Sequence, residues 1–480
     1  MATAPVSAPR IEESFRHLWV VVAFALLMAA GAGGYALALH EIEALYLGVA
    51  VAGCVAVLID FRLGALLLAF LLPVSGTSLF PHGLLGITGL NPINMMIAGT
   101  LAAFVARGRI DHPGPLVPRP VAWLYIAPIA LAGLLGALHV DDIHPGYFDQ
   151  LVINYNTWTG YLRDVLIKPM LIVVAAVLVA AAVAKARKPE PYLAAVVGGA
   201  CLLALVMFAF VFISDVRLGQ LASPRARMFF STEIGTHANE LGRTFVTAYA
   251  FALFAWWETR HAPTRLALFA ALGIVSLGIV LTFSRNAFLG FFVVNGLFLL
   301  WKFNMKKLGL AILGTAVAGA MAPDAVYRRI TYGFDGGANQ VSAGRIDGIW
   351  LPLLPETLKS PLWGSGLDSI LWSEAIRSGA AEFVGHPHNA YLEAFLDMGL
   401  IGLALILLFY WKVWRGFLAL GSNPYLSPET RGFFQGACAA LVAFAVAGMS
   451  GGTLRPSPEN MLLWMAIGLM FGLLARRPAR

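Results

Sequence analysis

Long apolar runs follow one another along this chain with short polar breaks between them, and one break is far longer than the rest. A membrane-spanning helix needs about 20 mostly apolar residues. On that basis the pattern predicts spans at 17–39, 43–59, 63–79, 92–106, 120–138, 161–184, 191–213, 237–257, 264–283, 286–301, 307–322, 390–411, 431–449 and 460–475. Pro73-Val74-Ser75-Gly76 interrupts the third run, and only Ser284-Arg285-Asn286 separates 264–283 from 286–301, so the count lies between 12 and 14. The expected fold is an all-α, polytopic transmembrane bundle in three parts. Residues 1–322 carry spans joined by short loops, 323–389 form a long, partly helical loop, and 390–480 return to spans.

Composition agrees with this class. Hydrophobic residues make up 59% of the 480 positions and charged residues only 12%, against about 25% charged in soluble domains. Cys54, Cys201 and Cys438 all fall inside apolar runs, which favours packing over disulfides or a thiolate metal site. Arg10 and Arg16 precede the first run, which contains Ala36-Leu37-Ala38. That run is longer than a signal-peptide core, so it reads as an uncleaved helix.

Charge sets the expected orientation. With the N-terminus inside, twenty of the 33 Lys and Arg fall in cytoplasmic segments, with few acids beside them. Both termini are then cytoplasmic and the long loop faces outward. The formal charge of +7 follows from this topology and makes no case for nucleic acid. The basic residues left outside or within spans are almost all Arg, including Arg163, Arg243, Arg285, Arg345 and Arg455. A guanidinium fork suits bidentate phosphate contacts; snorkelling or pairing with outer acids is the other explanation.

The long loop ends in His386-Pro387-His388-Asn389, directly before a span. Asn389 fits a helix N-cap. A histidine just outside a helix N-terminus feels the positive end of the dipole and stays neutral, a state suited to a general base. Local capping, or a metal site lacking a third ligand at suitable spacing, are the alternatives. Arg285 stands between two spans, where a charge is costly and a functional role is the default. Arg345 opens a segment in which Ile346, Ile349, Trp350, Leu353 and Leu354 fit one helical face. Such a helix either lies on the outer leaflet, with Arg345 and Lys359 near head groups, or packs on its own domain. The glycines of Pro361-Leu362-Trp363-Gly364-Ser365-Gly366 permit a tight turn or close backbone approach to a ligand. His237, Glu240 and Arg243 share a helix face beside Asn239, and either line a cavity or pair together. Asp164 and Lys168, beside Arg163, read as an i,i+4 ion pair.

The Ser284-Arg285 turn, Arg345 before Trp350, the Pro361-to-Gly366 element, and His388-Asn389-x-Tyr391-Leu392 followed by Gly399-Leu400-Ile401-Gly402 together resemble the O-antigen ligase (WaaL) and polymerase-like membrane glycosyltransferases. The resemblance covers roughly 284–402. It implies a multi-pass enzyme of the bacterial inner membrane whose active site faces the periplasm and which acts in lipopolysaccharide biosynthesis. The implied donor is a glycan on undecaprenyl pyrophosphate and the implied acceptor lipid A-core oligosaccharide. By resemblance Arg285 and Arg345, with Arg163, hold the donor pyrophosphate and His388 serves the acceptor hydroxyl. His386, Asn389, His237, Asn239 and Arg243 support them. No cofactor, metal or nucleic acid is implied, and membrane lipids are the surroundings. A polysaccharide polymerase using the same donor is the nearest alternative, a protein O-oligosaccharyltransferase a third, and a lipid-linked saccharide transporter the reading from another class. Asp368, Glu374, Glu382 and Glu393 are the other titratable candidates on or near the loop.

Overall fold

A computed structural model describes residues 42–78, 80, 83–84, 87–108, 117–150, 152–214, 228–302, 309, 331 and 334–476. The predicted span 17–39, all of 307–322 except residue 309, and Arg10 and Arg16 lie outside the described residues. The described residues are mostly helical, and the strands among them form one two-residue antiparallel ladder, Gly83–Leu84 against Ile87–Thr88.

Helices begin where a side chain can satisfy the orphan amides of a first turn. Asp60 accepts from Arg62 N at 2.9 Å, Asn91 from Asn94 N at 2.8 Å and Ser427 from Thr430 N at 3.3 Å. Prolines fill first-turn positions in Pro92–Ala103, Lys168–Lys185, Glu190–Ile213, Ala262–Leu281 and Pro428–Gly448, where the missing N–H costs nothing. Six described helices are long and apolar enough to cross a membrane: Val121–Asp142, Trp158–Lys185, Glu190–Ile213, Ala262–Leu281, Ala390–Gly421 and Pro428–Gly448. The chain is a multi-pass membrane protein.

Ala238–Glu258 is the central helix. Most of its side chains are buried, and it packs closely on Pro428–Gly448, Ala262–Leu281 and Arg285–Trp301. A Cβ at Gly432 would collide with the Phe254 carbonyl, and one at Gly436 with that of Ala250. Gly468 and Gly472 meet Ala176 and Ala180 in the same way. These are the small-xxx-small contacts by which helices approach in lipid. The central helix brings polar Asn239, Glu240, Arg243, Thr244 and Thr247 into the bundle on its first turns.

The Ala390–Gly421 helix is broken at Gly399, whose φ of 65° and ψ of −172° are open essentially to glycine alone. The loop residues 361–367 are spliced into this break. Ser365 N donates to Leu396 O at 2.8 Å, Gly366 N to Asp397 O at 3.0 Å, Leu400 N to Pro361 O at 2.9 Å and Ile401 N to Leu362 O at 3.2 Å. A Cβ on Gly364 would strike the Asp397 carbonyl, and one on Gly366 would strike Gly136. The glycines thus serve backbone meeting backbone, with no ligand between. The predicted span 390–411 needs correcting accordingly. Residues 390–398 are a separate, mostly buried half-helix, and residues 400–421 rise about 33 Å at 1.5 Å each, which matches a hydrocarbon core of about 30 Å.

The amphipathic segment also differs from its predicted phase. Leu351 N bonds back to Ile346 O, so Ile346–Trp350 is a π-helical turn with one residue more than an α-turn. That extra residue rotates the following helix, Leu351–Thr357. Ile349, Leu353 and Thr357 are buried, whereas Leu354 joins Leu351 on the exposed side.

Candidate active site

A cavity of about 1010 Å³ opens between the start of the central helix, the half-helix at 390–398, the 361–388 loop and the loop joining the last two helices. His237, Asn239, Glu240, Arg243, Arg345, Asp368, His386, His388, Glu393, Arg455 and Glu459 line it, and Arg163, Asp164 and Lys168 stand on its wall. Apolar residues such as Ile93, Ile97, Ile129 and Leu171 also line it.

Asn389 caps the half-helix, accepting from Tyr391 N at 3.0 Å and Leu392 N at 3.1 Å. His388 is thereby held just outside a helix N-terminus, with a left-handed φ of 54°. Trp350 Nε1 donates to Pro387 O at 2.8 Å and braces the same turn. The His386 and His388 rings are 4.0 Å apart between centroids. Burial, then the neighbouring His386, Arg345, His237 and Arg243, push the His388 imidazole down to about 3, so it is neutral over the working pH range. Burial first, and Arg243 with it, also lower His237 and His386, with Glu459 opposing.

Arg345 is half-buried, and its Nη1 donates to Ser450 O at 2.6 Å. Among the described residues no carboxylate pairs with it. Burial, Arg285 and Arg243 all lower its pKa, so three guanidinium groups share one neighbourhood. Arg285 begins its helix behind Ser284, which caps Ala287 N at 3.3 Å and donates through Oγ to Asn239 Oδ1 at 2.8 Å. Arg285 itself does not line the cavity; it is near enough for its charge to act on Arg345. Arg243 pairs with Glu459 and not with Glu240 or His237, and all four line the cavity. The expected Asp164–Lys168 pair forms at 2.5 Å, and Arg163 forks onto the same carboxylate at 3.0 and 2.8 Å.

Backbone strain singles out these positions independently. The non-glycine residues with left-handed φ among those described are Phe283, Ala343, Asp368 and His388. The first two lie two residues before Arg285 and Arg345. Such residues cost about 1–3 kcal/mol each and gather at functional sites.

A second polar centre, largely missed in the sequence, surrounds Arg455. Its Nη2 reaches Asp368 Oδ1 at 2.6 Å and Glu393 Oε1 at 2.7 Å, and Glu393 Oε1 also accepts from Thr453 Oγ1 at 3.1 Å. Asp397 Oδ1 accepts from Ser369 N and Oγ at 3.1 and 2.9 Å. Tyr155 Oη approaches Asp368 Oδ2 at 3.4 Å. The buried Leu454 anchors this loop through hydrogen bonds from Tyr125 and Tyr410 to its carbonyl. Oxygens of Asp368, Glu393 and Asp397 lie within 4.8 Å of one another, close enough to share a cation. The Arg455 guanidinium already meets two of them. Burial lowers the Arg455 pKa, but Asp368, Glu393 and Asp397 outweigh it and raise it. The available signal was Gly451-Gly452-Thr453-Leu454-Arg455 together with Glu459, a short polar loop between apolar runs, and Asp397, a carboxylate inside one. Glu374 and Glu382 are exposed and do not line the cavity.

This geometry offers a cationic pole at Arg345, Arg243 and Arg285, a neutral histidine pair, and a carboxylate–guanidinium centre that reaches His386 electrostatically through Asp368. An anion suits the first, and proton acceptance the second. No curated protein matches the chain. Residues 268–407 match the family model described as O-antigen ligase, an interval holding Arg285, Arg345, Asp368, His386, His388, Glu393 and the Gly399 break. That segment is similar to the O-antigen ligase family, and together with the apolar helices it supports a multi-pass membrane enzyme of O-antigen ligase/polymerase type.

Proposed function

We propose that the protein transfers a glycan from undecaprenyl pyrophosphate to lipid A-core oligosaccharide at the periplasmic face of the bacterial inner membrane. The observation that carries this reading is Arg345, which has no carboxylate partner among the described residues. It lines, together with Arg243 and apolar residues such as Ile93, Ile97 and Ile129, a cavity near which Arg285 adds a further positive charge. An anionic head group joined to a hydrocarbon tail is complementary to both surfaces.

In this reading an acceptor hydroxyl attacks the anomeric carbon of the donor glycan. The bond from that carbon to the pyrophosphate oxygen breaks, and the electron pair leaves with undecaprenyl pyrophosphate. The guanidinium groups stabilise the charge that develops there, as fixed cations in a water-poor site do. His388, neutral before reaction, takes the hydroxyl proton. The phosphate link already activates the donor, so the arginines do the work that a metal would otherwise do. A single displacement inverts the anomeric configuration; a product with retained configuration, read by NMR, would contradict it.

The function is tested with purified protein, a synthetic undecaprenyl-pyrophosphate glycan and lipid A-core, with EDTA present. Glycan on lipid A-core from the wild type, lost in His388→Ala and Arg285→Ala, supports ligation without a metal. Lengthening of the donor glycan in its place assigns the chain to the polymerases. Neither product from a folded protein points to transport.

A further inference from the structure

The Leu351–Thr357 helix has two faces, and the protein covers only one. Leu353 and Thr357 are buried. Leu351, Leu354 and Leu358, spaced by three and four residues on the other face, are 53%, 48% and 75% exposed. The stripe does not end with the helix, since Leu362 and Trp363 are also more than half exposed. A continuous apolar strip of this kind calls for a covering surface.

Its position identifies that surface. Residues 361–367 lie between two helices that are long and apolar enough to cross the membrane. On one side Leu367 N donates to Ala132 O at 3.0 Å, within Val121–Asp142. On the other, Pro361 O and Leu362 O accept from Leu400 N and Ile401 N, where residues 400–421 begin their crossing. Leu400 is itself 55% exposed. The strip is therefore continuous with the lipid-facing wall of the bundle.

We propose that the Leu351–Thr357 helix and the turn after it lie in the interfacial layer of the adjoining leaflet, with the lipid surface covering Leu351, Leu354, Leu358, Leu362 and Trp363. Trp363 suits head-group depth. The Lys359 ammonium, bound to Glu356 at 2.8 Å and still half exposed, is placed to snorkel toward phosphate. The other side of the same segment serves the site: Arg345 directly precedes its first turn, and Trp350 holds the carbonyl of Pro387 beside His388. Lipid docking thus fixes the depth of the arginine and histidine relative to the bilayer.

The test attaches an environment-sensitive nitrobenzoxadiazole label to Leu358→Cys and, separately, to Trp363→Cys in the full-length protein in phospholipid vesicles. Labelled wild type supplies the background from the three native cysteines. Quenching by shallow spin-labelled lipid that is several-fold stronger than quenching by aqueous iodide, at both positions, is the expected result. Either label quenched mainly by iodide overturns the proposal. So does a label shielded from both quenchers, which would mean that a second copy or another protein covers the strip.

Discussion

His388 is a histidine that the fold keeps uncharged. Its ordinary pKa near 6.5 is pushed down to about 3, chiefly by burial and then by His386 and Arg345. The sign of the consequence follows from linkage. Between pH 6.5 and about 3 the unfolded chain binds a proton at this position and the folded chain does not, so acidification through that window removes stability. If neutral His388 is the base, the acid limb of kcat/KM lies well below 6.5. In Arg345→Ala a positive neighbour is gone, and that limb moves upward by part of the shift, because burial remains the larger cause. The same substitution removes a cation from the leaving group, and we expect kcat/KM to fall about 10²–10³-fold. A pH profile of both proteins checks the two effects together. Arg455 predicts a different outcome. Arg455→Ala leaves the buried Glu393 and the partly buried Asp368 without their counter-ion, a loss of about 3–5 kcal/mol. Thermal unfolding in detergent, monitored by fluorescence, should fall sharply for Arg455→Ala.

The break at Gly399 decides how the elements meet. It detaches the half-helix carrying Asn389, Glu393 and Asp397 from the membrane span, and the 361–367 segment fastens it in place. Gly399→Ala puts an alanine where glycine alone is comfortable and drives its Cβ into the Leu362 carbonyl. A loss of roughly 2–5 kcal/mol is expected, read as a lower midpoint of thermal unfolding. An unchanged midpoint would refute the splice. Little of this element was legible in the sequence. An apolar run continues through Met398-Gly399-Leu400 with nothing to show that the helix stops, because the hydrogen bonds that replace the helical ones come from a segment some 35 residues earlier. The π-helical turn at Ile346–Trp350 escaped for a similar reason: one extra residue in a turn changes which side faces inward without changing the composition.

Across the whole molecule, apolar run length foretold most of the helices, since a helix is the only way a single segment satisfies its backbone in lipid. The Asn389 cap was also legible, because it depends on local spacing, whereas a common site for Arg345 and His388 was implied only by the family resemblance. The Arg455 centre was not. It joins Asp368, Glu393 and Arg455 across 87 positions of sequence, and only the fold brings them together. The orientation predicted from Lys and Arg places this cavity outside the cytoplasm. A Cys introduced at exposed Ala380 should therefore react with a membrane-impermeant maleimide added to intact spheroplasts, and labelling only after lysis would reverse the topology.

In the proposed reaction the arginine pole binds a lipid pyrophosphate and the histidine acts on a different atom. Native mass spectrometry of the purified protein with undecaprenyl pyrophosphate, free of sugar, tests it most directly. Bound lipid is expected for the wild type and for His388→Ala, and strongly reduced binding for Arg345→Ala. Equal binding by Arg345→Ala and the wild type, or loss of binding in His388→Ala, would contradict it.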